Sequence, residues 1–179
     1  IIFVSDSFST IDSIRISGIS KINSINFRNE LGLLCGDSGK IYVSSNGGTN
    51  WENVSFKTPK SLKSVFITHD NVFKIVGDSG IYLSSRDSGL SWEAFRLWDY
   101  NHFINHLRGI EFIDESTGYI FYSGGNCIKT TDGGLNWGYS RIYYASFPHN
   151  SYTILSADTV LIASSHGAIF RTTNGGGNI

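Results

Sequence analysis

Short strand-like runs dominate this chain, alternating apolar with polar residues in 39–43 and continuously apolar or nearly so in 109–113 and 118–122. Alternation with a period of two marks a strand that buries one face. No useful window carries the 3.6-residue period of an amphipathic helix. The runs recur in groups of four, separated by Gly, Asn, Asp and Ser, the residues of tight turns. One group fills about 42 residues, the length of a four-stranded propeller blade. The pattern predicts an all-β chain of four-stranded antiparallel blades.

A second periodicity sits on the first. Ser44, Asn46, Gly48 and Trp51 recur as Ser85, Asp87, Gly89 and Trp92, then as Thr130, Asp132, Gly134 and Trp137. A last copy keeps Thr172, Asn174 and Gly176, with Ile179 in place of the Trp. The Asp or Asn positions are 41, 45 and 42 residues apart. Each copy falls between the third and fourth runs of its group and so predicts the hairpin that joins those strands. The Asp or Asn oxygen can accept turn N–H groups, and the Ser or Thr hydroxyl can tie the strand end to the turn. Gly supplies a positive φ without steric cost, and Trp is a large apolar plate for the neighbouring strands. These residues are read as structural.

The phrase Ser/Thr-x-Asp/Asn-x-Gly-x-x-Trp resembles the BNR/Asp-box repeat. The stretch from Ile128 to Trp137 is similar to repeats of photosystem II assembly/stability factor-like propellers, with departures at Asn46, Asn174 and Ile179. The resemblance implies a β-propeller of about six to eight blades, typically exported to a periplasm, lumen or cell surface. It implies a protein partner or a complex under assembly, with a glycan as the alternative ligand. Asp-box propellers also include sialidases and other glycoside hydrolases. A sialidase-like site would need clustered arginines, a Tyr nucleophile with a Glu partner, and an acid/base Asp. The arginines are instead scattered at 15, 28, 86, 96, 108, 141 and 171, and Ile14, Arg15 and Ile16 lack the Pro of the family's Arg-Ile-Pro string. No nucleophile elbow or phosphate loop is present. A non-catalytic scaffold is expected.

About four blades are present in one domain. Complete blades are expected near residues 20–56, 61–97 and 107–144. Residues 1–18 read as a worn partial blade, with 12–18 as its fourth strand, and residues 151–179 as a second partial blade. The missing initiator Met and the half blades fit a piece of a larger propeller. In the alternative, the N-terminal strand completes the last blade and closes a four-bladed ring.

The charge is −1 and no Lys/Arg run occurs, so the electrostatic footprint of a nucleic-acid binder is absent. No apolar stretch reaches the roughly 18–20 residues of a membrane span. Cys35 and Cys127 fall in different blades and are expected as buried free thiols.

Function on a rigid β scaffold lives in loops. Loops between second and third strands (36–39, 77–80, 124–126 and 165–167) are expected to share one face with the inter-blade connections, opposite the Asp boxes. The connection at 97–106 concentrates Trp98, Tyr100, His102, Phe103 and His106, and a second aromatic linker holds Tyr143 and Tyr144. These residues and His166 are the candidate partner-binding set, because exposed Trp and Tyr are what a partner stacks on. The plainer alternative has the rings wedged between blades. His102 and His106 have the spacing of two ligands on one helical turn, but no third ligand completes them. Asp37 and Asp78 recur at matched positions, which turn capping explains without Ca²⁺. No metal and no cofactor is expected.

Overall fold

The computed structural model describes residues 13–99, 102–103, 106–122, 126–141, 149–164 and 167–176. The first sheet contains β1 (Ile22–Arg28), β2 (Leu31–Gly36), β3 (Ile41–Ser44) and β4 (Glu52–Asn53). The second contains β5 (Leu62–Ile67), β6 (Phe73–Gly77), β7 (Ile81–Ser85) and β8 (Glu93–Arg96). A small hairpin of β9 (Trp98–Asp99) and β10 (His102–Phe103) follows. The third sheet contains β11 (Leu107–Phe112), β12 (Gly118–Tyr122), β13 (Asn126–Thr130) and β14 (Gly138–Arg141). The fourth contains β15 (His149–Ser156), β16 (Thr159–Ser164) and β17 (Ile169–Thr172). Every sheet is an antiparallel meander in chain order.

The sheets stack face to face with their first strands side by side, β1 beside β5 and β5 beside β11. This is the blade packing of a propeller. Each joint has its own core. Leu33, Cys35 and Ile41 of the first sheet meet Val65, Ile67 and Ile75 of the second. Val76 and Tyr82 of the second meet Ile110, Phe112 and Ile120 of the third. Tyr119, Phe121 and Cys127 of the third meet Ile154 and Ile162 of the fourth. Successive residues of β6 thus serve opposite joints, Ile75 toward the first sheet and Val76 toward the third. The strands are therefore not buried on one face only, as simple alternation predicts. β6 and β12 are buried at every position, because a blade between two blades has no solvent face. Both cysteines are free and buried, and burial pushes each thiol up to about 12, far from a reactive thiolate.

The boxes form the third-to-fourth-strand hairpins. Ser44 Oγ donates to Asn46 Oδ1 (3.0 Å) and accepts the Gly48 N–H (2.9 Å), while Asn46 Oδ1 accepts the Asn50 N–H (2.9 Å). The same triangle recurs at Ser85, Asp87 and Gly89, and at Thr130, Asp132 and Gly134. Thr172, Asn174 and Gly176 repeat its first two bonds. Gly48, Gly89, Gly134 and Gly176 have φ between 76° and 89°, in the left-handed region that only Gly enters freely. The residue before each is Gly47, Gly133 or Gly175 in three boxes, but Ser88 (φ 58°) in the second. Left-handed backbone costs a side chain about 1–2 kcal/mol, partly offset by the unfolded-state entropy of Gly. Ser88→Gly is expected to stabilise the domain by about 0.5–1 kcal/mol, read as a higher denaturant midpoint.

The N-terminal reading changes in one respect. Over residues 13–18 no strand forms. The segment runs as a strap on the first sheet, where Ser17 O accepts the Tyr42 hydroxyl (2.7 Å), and Gly18 (φ 79°) turns the chain toward β1. The expected ladder partner, within residues 1–12, lies outside the described residues, as does any closure of the last blade by that segment.

Candidate functional site

Four β-bulges set the geometry of one face. The register of the first strand slips after Ile22, Leu62, Leu107 and His149, leaving Asn23, Lys63, Arg108 and Asn150 unpaired at one height in the four sheets. A bulge re-aims the extra residue out of the ladder. Asn23 Nδ2 donates to Asp37 Oδ1 and to Leu62 O, both at 2.8 Å, tying the first sheet to the second. Lys63 Nζ lies 3.2 Å from Asp78 Oδ2. His106 Nδ1 lies 3.4 Å from Asp78 Oδ1, and its backbone bridges Asp78. Asp78 opens the second blade's 2–3 turn and His106 belongs to the connection between blades. The two loop classes therefore share one face, as expected.

Asp37 and Asp78 are both occupied within this rim. Hydrogen bonds from Asn23 and Ser61 hold the Asp37 carboxyl below the usual carboxylate range. At Asp78 an ammonium group stands where a cation would sit. Among the described residues no group of three or more His, Cys, Asp or Glu could hold a metal ion. His102 lies in β10 and His106 in a bridge, so their four-residue spacing places them on no helix.

The aromatic connection forms the β9–β10 hairpin, which pairs Trp98 with Phe103 and Asp99 with His102 and leads the chain to His106. The His106 side chain is exposed. Tyr100, Tyr143, Tyr144 and His166 lie outside the described residues. Sequence reasoning missed Asn23, Lys63 and Arg108. Their only signal is a polar residue ahead of each first-strand core position, which reads like any solvated face until the bulge is seen. Together these groups offer an amide, an ammonium, a guanidinium, an imidazole and carboxylates at one rim. That set can bond to main-chain amides and to charged side chains, each exposed ion pair contributing about 0–1 kcal/mol.

The opposite face carries the boxes, which also act between blades. Trp92 Nε1 donates to Val54 O of the first blade (3.1 Å). Lys74 Nζ, buried and held by Ser84 Oγ (3.2 Å), donates to Gly133 O in the third blade's box (2.8 Å). Ser140 Oγ donates to Gly175 O in the fourth. Burial lowers the Lys74 ammonium to about 8. The cleft beside it brings Asp70, Glu115 and Asp132 together with Lys74 and Arg86. Both signs are present there and the amine is already bonded, so the box face is built for cohesion. The Asp87 carboxyl is held down to about 2, first by the Ser91 hydroxyl, and Asp132 to about 2, first by the Asn136 N–H. A depressed native value means that the stabilisation is complete above about pH 4 and is lost as pH falls toward 2. Asp87→Asn with Asp132→Asn is expected to flatten the loss of stability between pH 4 and 2, as followed by urea midpoints. Asn46 and Asn174 already lack that dependence.

Comparison with known proteins places this architecture. The family described as Photosynthesis system II assembly factor YCF48 matches residues 50–179. The photosystem II assembly lipoprotein Ycf48 of Synechococcus sp. (strain CC9902) is 27% identical over 131 residues, covering 70% of this chain and 38% of that protein. A solved YCF48 bound to D1 peptide superposes with a TM-score of 0.70 at 21% identity, over 85% of this chain and 51% of the other. A streptogramin B lyase superposes with a TM-score of 0.69 at 12% identity, over 89% of this chain and 53% of the other. The chain thus spans little more than a third of the curated relative and about half of the solved structures. The lyase likeness concerns the fold alone, which hosts binding proteins and enzymes alike. The family match covers well over half of the chain and agrees with the box spacing and the blade meander, so this chain belongs to the YCF48 photosystem II assembly factor family of β-propellers.

Proposed function

We propose that the chain is a non-catalytic binding scaffold that recognises a segment of a protein partner through the rim of bulge residues, 2–3 turns and the β9–β10 hairpin. The observation that carries this reading is the cluster of Asp78, Lys63 and exposed His106, set beside a hairpin with Trp98 and Phe103 at paired positions. Relatives support the partner class. One is named an assembly lipoprotein of photosystem II, and one solved structure holds a D1 peptide. We therefore take a photosystem II subunit segment as the ligand, met on the extracytoplasmic or lumenal side.

Chemistry of a sialidase type finds little support. The Tyr152 phenol feels Glu111, but desolvation is the larger cause, and both push its pKa above the ordinary phenol range. A tyrosine nucleophile needs the opposite. Burial also raises the Glu111 carboxyl.

A fluorescein-labelled D1 peptide, titrated with the chain and followed by anisotropy, tests the proposal. Saturable binding that weakens at least about tenfold in Trp98→Ala or His106→Ala is the expected outcome. Binding indifferent to Trp98→Ala, His106→Ala and Lys63→Ala would move the site elsewhere. Turnover of an aryl-glycoside would refute the non-catalytic part.

A further inference from the structure

Two of the four boxes place an asparagine directly before a glycine, Asn46 before Gly47 and Asn174 before Gly175. The other two carry the acid itself, Asp87 and Asp132. Asparagine is a thermolabile residue, and a following glycine has no side chain to keep its nitrogen from the neighbouring side-chain amide. The reaction needs only water. The glycine nitrogen attacks asparagine Cγ, the N–Cγ bond forms and the Cγ–Nδ2 bond breaks. The proton lost from the glycine nitrogen leaves with Nδ2 as ammonia. Water then opens the succinimide ring. Opening at Cγ gives aspartate; opening at the backbone carbonyl gives isoaspartate, in which the main chain runs through Cγ.

In the folded box both reacting groups are held. Gly47 N–H donates to Glu30 O (3.0 Å) and Gly175 N–H to Asp158 O (2.8 Å), each in the turn between the first and second strands of its own blade. Asn46 Oδ1 accepts the Ser44 hydroxyl (3.0 Å) and the Asn50 N–H (2.9 Å). Asn174 Oδ1 accepts the Thr172 hydroxyl (2.7 Å) and the Gly176 N–H (3.2 Å). Attack requires the nitrogen to lose the proton it donates and the side chain to leave its donors, so the hairpin must open first. The acid also fits the box more fully than the amide. Asp132 Oδ2 accepts Asn136 Nδ2 (2.8 Å), and Asp87 Oδ2 accepts the Ser91 hydroxyl (2.5 Å). Asn50 holds the place of Asn136, but Nδ2 of Asn46 can only donate. An aspartate at position 46 accepts Asn50 as Asp132 accepts Asn136. An isoaspartate lengthens the main chain by a carbon and displaces both the Gly47 N–H from Glu30 O and the Gly48 N–H from Ser44 Oγ.

We infer that Asn46 and Asn174 are deamidation sites guarded by the fold. Closed boxes hold them as amides, opened boxes release ammonia, and the aspartate formed is the residue with which the box closes again. Each event adds one negative charge to the box face and converts an amide box to the acid type of Asp87 and Asp132. Both sites lie on the face opposite the rim assigned to the peptide, so the two readings stand or fall separately.

Peptide mass spectrometry of the chain, aged in mildly alkaline buffer with and without urea, tests the inference. Both asparagines are expected to convert in urea, and at least about tenfold more slowly in buffer alone. Ser44→Ala removes the hydroxyl that holds the first box, and Thr172→Val the one that holds the fourth. Each variant is expected to speed conversion at its own asparagine in buffer and to leave the other slow. Chain aged in urea and then refolded should carry aspartate at position 46 in the fraction that regains β circular dichroism. The fraction that does not should carry isoaspartate, read with an isoaspartyl methyltransferase. Equal rates with and without urea overturn the guard, as does a slow Asn46 in Ser44→Ala. Both sites speeding up together in either variant also overturns it, since global stability would then be the only protection. Isoaspartate spread evenly over both fractions overturns the re-entry of the acid into the box.

Discussion

Gly134→Ala is expected to destabilise the domain by about 2–5 kcal/mol. Two costs add. The backbone is left-handed there (φ 86°), which is worth about 1–2 kcal/mol against a side chain. A Cβ would also stand 2.4 Å from the Tyr82 hydroxyl of the preceding blade. Tyr82 is fully buried and meets Trp137 edge-on at 5.7 Å, so it has no room to retreat, and overpacking of this kind costs about 1–3 kcal/mol. Gly167 is the control. Its φ is 73°, but nothing lies within 4 Å of its built Cβ, so Gly167→Ala should cost only the backbone share of about 1–2 kcal/mol. Urea unfolding of the two variants measures the difference. That difference is the cost of crowding Tyr82 at the joint between blades, over and above the strain of the turn itself.

Phe121→Ala is expected to cost about 3–5 kcal/mol by the same measurement. Phe121 is fully buried in β12, stacks on Tyr152 of the fourth blade with ring centroids 3.6 Å apart, and lies 6.2 Å from Tyr119. Truncation removes the plate between third and fourth blades and leaves a cavity that two antiparallel sheets cannot close without losing register. The fourth sheet should loosen first, because Phe121 belongs to the joint that holds it.

The local hairpin chemistry was legible in the sequence and the contacts between blades were not. Ser44, Asn46 and Gly48 act on one another within five residues, so their types and spacing already specify the triangle of hydrogen bonds. Lys74 and Gly133 are 59 residues apart, and nothing in the string marks a lysine in a strand as the donor to another blade's turn. The bulges were hidden for a related reason. Lys63 and Arg108 read as ordinary polar positions of an alternating strand, and only the paired strand reveals that one residue is extra. Residues 13–18 show the limit of repeat logic. They align with a fourth strand, but Gly18 turns the chain, and the segment straps the first sheet through Ser17. Of the candidate partner set, the structure joins His106 to Asp78 and pairs the backbones of Trp98 and Phe103. Lys63 and Asn23 join that face only through the fold.

Amide hydrogen exchange at Gly48, Gly89, Gly134 and Gly176 tests the whole architecture most directly. Each N–H sits at a hairpin tip, where an ordinary turn amide exchanges quickly, yet each donates to a strand-end hydroxyl. All four should be protected alike, and Thr130→Val should release Gly134 while leaving the other three slow. Four amides exchanging at the rate of open turns would contradict the stapled blades on which the account rests.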